Sequence, residues 1–165
     1  MKVREAYESS LRREGHTRDP AQLDVIARFE DLQARIATQR PRKGGLRTMF
    51  FRSEPLESIR GLYLWGGVGR GKTFLMDLFY ETLAIDGKTR IHFHRMMQDV
   101  HSRLKTLADL EDPLDRVAAD IAAESRVLCF DEFYVSDIGD AMILGRLLEG
   151  MFARGVALFA TANSK

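Results

Sequence analysis

Residues 62–77 read LYLWGGVGRGKTFLMD, and the rest of the chain can be read outward from them. The apolar run Leu62–Trp65 is a short buried strand by pattern, and Phe74, Leu75, Leu78, Phe79 and Leu83 recur at helical spacing. Between them lies Gly66-x-x-x-x-Gly71-Lys72-Thr73, the spacing of a phosphate-binding loop. Glycines let the backbone take positive φ, so that successive N–H groups converge on phosphate oxygens. The helix that follows turns its positive end toward the same anion. Lys72 is expected to reach the β- and γ-phosphates, and the Thr73 hydroxyl to be a Mg2+ ligand. The candidate nucleotide contacts are Gly66, Gly67, Val68, Gly69, Arg70, Gly71, Lys72, Thr73 and Phe74.

Composition limits the alternatives. A chain of 165 residues is long enough for one ordinary core, and 45% hydrophobic with 30% charged residues suits a water-soluble domain. A net charge of +1 gives no overall attraction to nucleic acid or to a membrane surface. With Cys129 as the lone cysteine, no internal disulfide can form. The charged start MKVREAYESSLRREG has no apolar core for a secretory signal, and no apolar run approaches the roughly 20 residues needed to span a bilayer. A cytoplasmic location is expected.

Residues 1–39 read as two helices. The first runs to about Arg13 and breaks at Gly15; the second starts with Asp19 as N-cap and Pro20 at its first position. Val25, Phe29, Leu32 and Ile36 fall on one face of it, to be buried on the core. The basic stretch Arg40–Arg47, with its proline and glycines, reads as a linker, and Met49, Phe50 and Phe51 as residues under the sheet. The expected division is 1–47, a helical extension and linker, and 48–165, the nucleotide-binding unit. The first strand is expected from about Arg60.

Beyond the turn Asp86-Gly87, residues 89–95 (TRIHFHR) read as an alternating strand, Ile91 and Phe93 on one face, His92 and His94 on the other. Such a pair, with His101 nearby, admits a metal site, but no cysteine or supporting ligand pattern accompanies it. The plainer reading is hydrogen-bonded histidines, or polar contacts near the nucleotide. Helices are expected over about 96–110 and from Asp112-Pro113 to about Glu124. Arg126-Val-Leu-Cys-Phe-Asp131-Glu132 is then a buried parallel strand whose carboxyl end carries two acids. Asp131 is the candidate for holding hydrated Mg2+, and Glu132 for orienting and deprotonating an attacking water. Cys129, inside the strand, is expected to be buried and inert. Ser136 or Asp137 caps a helix over 138–152, Gly155 closes it, and Val156–Thr161 forms a last strand. That strand ends Thr161-Ala162-Asn163, and Asn163 at its end is the candidate contact to the γ-phosphate or the water.

Strand, helix, strand, helices, strand, helix, strand implies a three-layer α/β core with a parallel sheet. The loop, the acid pair and Asn163 then meet at the carboxyl ends of the strands.

The stretches GLYLWGGVGRGKTFLMDLFY (61–80), HFHRMMQDVH (92–101), VLCFDEFYVSDIGDAM (127–142) and FARG (152–155) resemble the ZapE-like family of AAA+ ATPases, a family with bacterial and mitochondrial branches. The resemblance implies an ATP-hydrolysing AAA+ core, with Gly66–Thr73 as Walker A, Asp131 and Glu132 as Walker B, and Asn163 as sensor 1. For the bacterial branch it implies a role in cell division through a tubulin-like ring protein; mitochondrial relatives are associated with protein quality control. Self-association is open, and near-neutral charge does not encourage the single-stranded DNA binding that a helicase loader needs.

Family members carry a fifth core strand, an arginine finger and a further segment after the point where this sequence ends. The missing strand would leave residues 60–65 at a sheet edge. Arg154 precedes its strand, so it is expected at the sheet end away from the phosphates. Since a finger is worth about 10³–10⁵ in rate, the expectation is ATP binding with slow turnover. Two alternatives stay open: a P-loop kinase, which does not need the water-activating pair, and a non-catalytic scaffold that uses ATP to order a partner surface.

Overall fold

A computed structural model describes residues 2–38, 61–66 and 71–163, with backbone alone at 38, 61–66 and 163. The readings of 40–47, 49–51 and of Gly67, Val68, Gly69 and Arg70 lie outside the described residues. The elements in chain order are α1 (Val3–Glu14), α2 (Pro20–Thr38), β1 (Gly61–Gly66), α3 (Lys72–Thr82), β2 (Lys88–His92), α4 (Phe93–Thr106), α5 (Pro113–Glu124), β3 (Val127–Asp131), α6 (Ile138–Ala153) and β4 (Ala157–Asn163).

Local chemistry sets most of these boundaries. Gly15 ends α1 in the left-handed conformation at φ 69°. Asp19 opens α2 by accepting from the Ala21 N–H at 2.8 Å. Asp112, followed by Pro113, accepts from the Asp115 N–H at the start of α5, and Asp137 accepts from the Gly139 N–H at 2.6 Å to start α6.

All strand pairs are parallel, in the order β1-β4-β3-β2, so β1 lies at one edge among the described strands. The side chains of β3 and β4 divide between two cores in the strict alternation a doubly covered sheet requires. Val127, Cys129, Ala157 and Phe159 pack with α1, α2 and α3. Leu128, Phe130, Leu158 and Ala160 pack with α4, α5 and α6. Three layers follow from that alternation.

The apolar face of α2 packs on this framework: Ile26, Phe29 and Ile36 are buried, with Leu32 at the margin. Phe29 lies 4.7 Å from Phe79 and 6.2 Å from Phe159, ring centre to ring centre. Such aromatic pairs add about 0.5–1.5 kcal/mol each beyond the area they bury. Gln33 Nε2 donates to Thr82 Oγ1 at 3.0 Å, and Arg126 Nη2 donates to the Ile36 carbonyl at 3.1 Å. The N-terminal helices and the sheet therefore share one core.

The largest difference from the sequence reading lies where β2 meets α4. The strand expected over 89–95 ends at His92, and Phe93–Arg95 are the first turn of α4. Ile91 and Phe93 satisfy a two-residue period, but Phe93, Met96, Met97 and Val100 satisfy a helical one equally well. Packing decides: all four are buried against the α5–α6 layer, and Phe93 lies 4.7 Å from Phe133 and edge-on to Phe130 at 5.8 Å. His92 and His94 consequently do not share a strand face. No helix among the described residues is long and apolar enough to cross a membrane.

Candidate nucleotide-binding site

The carboxyl ends of β2, β3 and β4 and the start of α3 enclose an open cleft of about 300 Å³. Lys72 and Thr73, Arg90 and His92, Asp131 and Glu132, Thr161 and Ala162 line it. The start of α3 thus brings Lys72 and Thr73, and the end of β3 brings Asp131 and Glu132, to one place.

Gly71 precedes α3 at φ 71°, a left-handed conformation that glycine takes without a Cβ penalty. Gly71 offers α3 no capping side chain, and Lys72 and Thr73, the first residues of the helix, line the cleft. Phe74 turns the other way, to Tyr7 at 6.3 Å, and lines a second cavity of about 600 Å³ with Leu11, Pro20, Gln22 and Gly71. The loop exit therefore stands between two hollows.

Glu132 follows β3 at φ 54°, an uncommon conformation for a residue with a Cβ. The next N–H, of Phe133, donates to the Thr161 carbonyl at 2.8 Å and so fixes the turn on β4. The Glu132 carboxylate is largely exposed, 4.0 Å from His92 Nδ1.

Asp131 is held differently. Arg90 on β2 forks onto it, Nε to Oδ2 at 2.7 Å and Nη2 to Oδ1 at 3.0 Å, while Arg90 Nη1 donates to Asp77 Oδ1 on α3. The hydrogen bond to Asp131 is the largest cause of a raised Arg90 pKa, with Asp77 adding to it against the cost of burial. Sequence reading missed Arg90 and Asp77. An arginine two residues before a strand end carries no motif, and only strand pairing, with His92 opposite Asp131, brings it into reach.

Asn163 is placed by its backbone alone, paired with Gly66 at the loop entrance; its sensing role lies outside the described side chains. The strand-end polar side chain that lines the cleft is Thr161, two residues earlier. His94 contacts Gln98 at 3.2 Å and His101 contacts Asp140 at 2.8 Å, so the three histidines go to separate partners. Arg154 makes a two-armed pair with Asp115, both N···O distances 2.9 Å, at the end of the sheet opposite the cleft.

Oxygen donors from Thr73 and Asp131 in one cleft are the donor chemistry a hard divalent cation takes. A helix start bearing Lys-Thr beside a strand end bearing Asp-Glu, on a parallel sheet covered on both faces, defines a P-loop nucleotide-binding protein with the AAA+ fold. Two solved structures share that fold. DnaI superposes with a TM-score of 0.54 at 18% identity, over 88% of this chain and 68% of that one. The DnaC helicase loader does so with a TM-score of 0.51 at 18% identity, over 91% and 74%. The chain belongs to the AFG1-like ATPase family, whose sequence model matches residues 1–165. Cell division protein ZapE of Escherichia coli K12 is 45% identical over 166 aligned positions, 95% of this chain and 44% of that protein. Lactation elevated protein 1 homolog B of Danio rerio is 46% identical over 115, 63% of this chain and 23% of that protein. The chain thus spans less than half the length of either relative.

Proposed function

We propose that the chain binds ATP with Mg2+ in this cleft and hydrolyses it to act on a protein assembly, the cell-division ring by kinship with ZapE. The observation that carries the reading is the meeting of Lys72 and Thr73 with Asp131 and Glu132 in one open cleft. The first turn of α3 and Lys72 take the β- and γ-phosphates. Thr73 and Asp131 would hold Mg2+, whose contribution when bound is to offset negative charge on the phosphate oxygens. Glu132, exposed beside His92, takes the proton of the attacking water, and Thr161 or Asn163 orients that water at the end of β4. The cavity beyond Gly71, walled by Pro20, Gln22 and Phe74, suits a base.

Turnover by this chain is slow in this reading. Among the described residues, the arginine that lines the cleft, Arg90, is committed to Asp131 and Asp77, and Arg154 is committed to Asp115 far from it. Support for a protein substrate comes from Tyr134, Ile138 and Met142 beside the Glu132 turn, all well exposed, Ile138 at 82%.

The test is ATP binding and turnover with Mg2+ for the chain and its Lys72→Ala and Glu132→Gln variants. Binding lost in Lys72→Ala but kept in Glu132→Gln, with turnover lost in both, is the expected pattern. A Glu132→Gln variant that hydrolyses ATP as the parent does would overturn the assignment of the base. Binding unaffected by Lys72→Ala would overturn the site itself.

A further inference from the structure

Arg90, one of the cations that line the cleft, is held by two carboxylates, Asp131 within the cleft and Asp77 on α3. Arg90 uses Nε and Nη2 on the two oxygens of Asp131 and Nη1 on Asp77. This is not a solvated surface pair of the kind that contributes little: the Arg90 and Asp131 side chains are 22% and 16% exposed. The three groups also come from three elements. Asp131 ends β3, Arg90 lies on β2, and Asp77 lies on α3 one turn after Thr73. Residues four apart on a helix lie on one face, so the Asp77 contact fixes how α3 presents Thr73.

We infer that Arg90 is a positioning residue for the divalent-cation half of the site, acting through Asp131 and, by way of Asp77, through the helix that carries Thr73. The inference rests on the nucleotide reading above. A carboxylate has about four lone-pair positions. The two-armed bond takes one on each Asp131 oxygen, fixes the plane of the group, and leaves the others for water on the cation. A lone carboxylate at a strand end would rotate among orientations. A lysine in place of Arg90 keeps the charge but, as a point donor, cannot hold both oxygens of Asp131 and Asp77 together.

The experiment measures ATP affinity twice for each protein, in excess Mg2+ and in EDTA, with thermal melting as a check of the fold. Removing such a supporting group costs roughly 10–100-fold in metal affinity. Arg90→Ala is therefore expected to lose about 10–100-fold in ATP affinity with Mg2+, and to keep the parent's affinity in EDTA. Arg90→Lys, the variant that spares the charge if alanine does not fold, is expected to show the same Mg2+-specific loss. Equal losses with and without Mg2+ would make Arg90 merely structural and overturn the inference. So would a gain in Mg2+, which would make Arg90 a competitor for Asp131, or full recovery by lysine. Failure of the parent chain to bind ATP in either condition overturns the nucleotide reading and this inference with it. Parent binding with unchanged Arg90 variants overturns this inference alone.

Discussion

The Tyr7 hydroxyl donates to Gln22 Oε1 at 3.0 Å, and Gln22 is the first side chain that a Cβ on Gly71 would meet, at 2.7 Å. A buried tyrosine on α1 is thereby linked through α2 to the exit of the phosphate loop. The same hydroxyl accepts from the Asp19 N–H at 3.3 Å, at the start of α2. Tyr7→Phe removes both bonds and leaves the ring packing in place. It is expected to cost about 1–2 kcal/mol, each such hydrogen bond being worth about 1 kcal/mol net. That corresponds to a fall in Tm of roughly 2–8 °C for a domain of this size. An unchanged melting curve would mean that the link contributes nothing.

Gly71→Ala tests the loop exit. An alanine at φ 71° carries a left-handed penalty of about 1–2 kcal/mol, and the Gln22 amide must also move. Loss of ATP binding with the fold retained is the expected result. Adding Gln22→Ala should relieve only the steric part, because the backbone penalty remains.

Glu132 joins backbone conformation and chemistry in one residue, and substitutions can separate them. Glycine accepts φ 54° freely, whereas a β-branched side chain resists it. In melting experiments Glu132→Gly should match or exceed the parent, and Glu132→Val should fall below it by about 1–2 kcal/mol. Both should lack turnover. A valine variant as stable as the parent would show that the turn is not strained.

The Arg154–Asp115 pair predicts an acid dependence away from the site. The hydrogen bond from Arg154 lowers the Asp115 pKa from its ordinary 3.8. A carboxyl with a depressed folded-state pKa contributes stability above its unfolded pKa, and loses it as pH falls through the folded value. The Tm difference between the parent and Arg154→Ala should therefore be constant near neutrality and shrink below about pH 4. ATP affinity should be unchanged in this variant; a large change would place Arg154 in the site.

Cys129 offers a native probe of opening. Burial pushes its thiol up to about 12, and it is enclosed between β3 and the α3 layer. At pH 8 it should react with thiol reagents only at the rate at which the core opens, and rapidly once denaturant unfolds the chain. Labelling of the native chain at the rate of a free thiol would contradict the described core.

How far the chain could be read from its residues alone varied with the distance over which each feature is encoded. The loop Gly66–Thr73, the caps Asp19, Asp112 and Asp137, and the run Val127–Asp131 are local patterns, each set by a few adjacent residues. The strand-helix boundary at His92–Phe93 was misread because two periods fit the same apolar residues there. Thr161 and Asn163 lie two apart on β4 and so share a face, and composition does not separate their roles.

What the sequence by itself determined was the succession of parallel strands and helices, and the presence of a lysine, a hydroxyl and two acids at strand and helix ends. Glycine freedom, capping chemistry and hydrophobic period are properties of short segments, so they survive without the fold. What only the tertiary structure decided was which charges meet. Arg90 lies 41 positions from Asp131 and 13 from Asp77, and no local rule links the three. Their contact exists because β2 pairs with β3 in a register that puts His92 opposite Asp131, while α3 lies across the same face. Strand order and helix placement are settled by burying both faces of the sheet at once, a condition on the whole chain that no short segment contains.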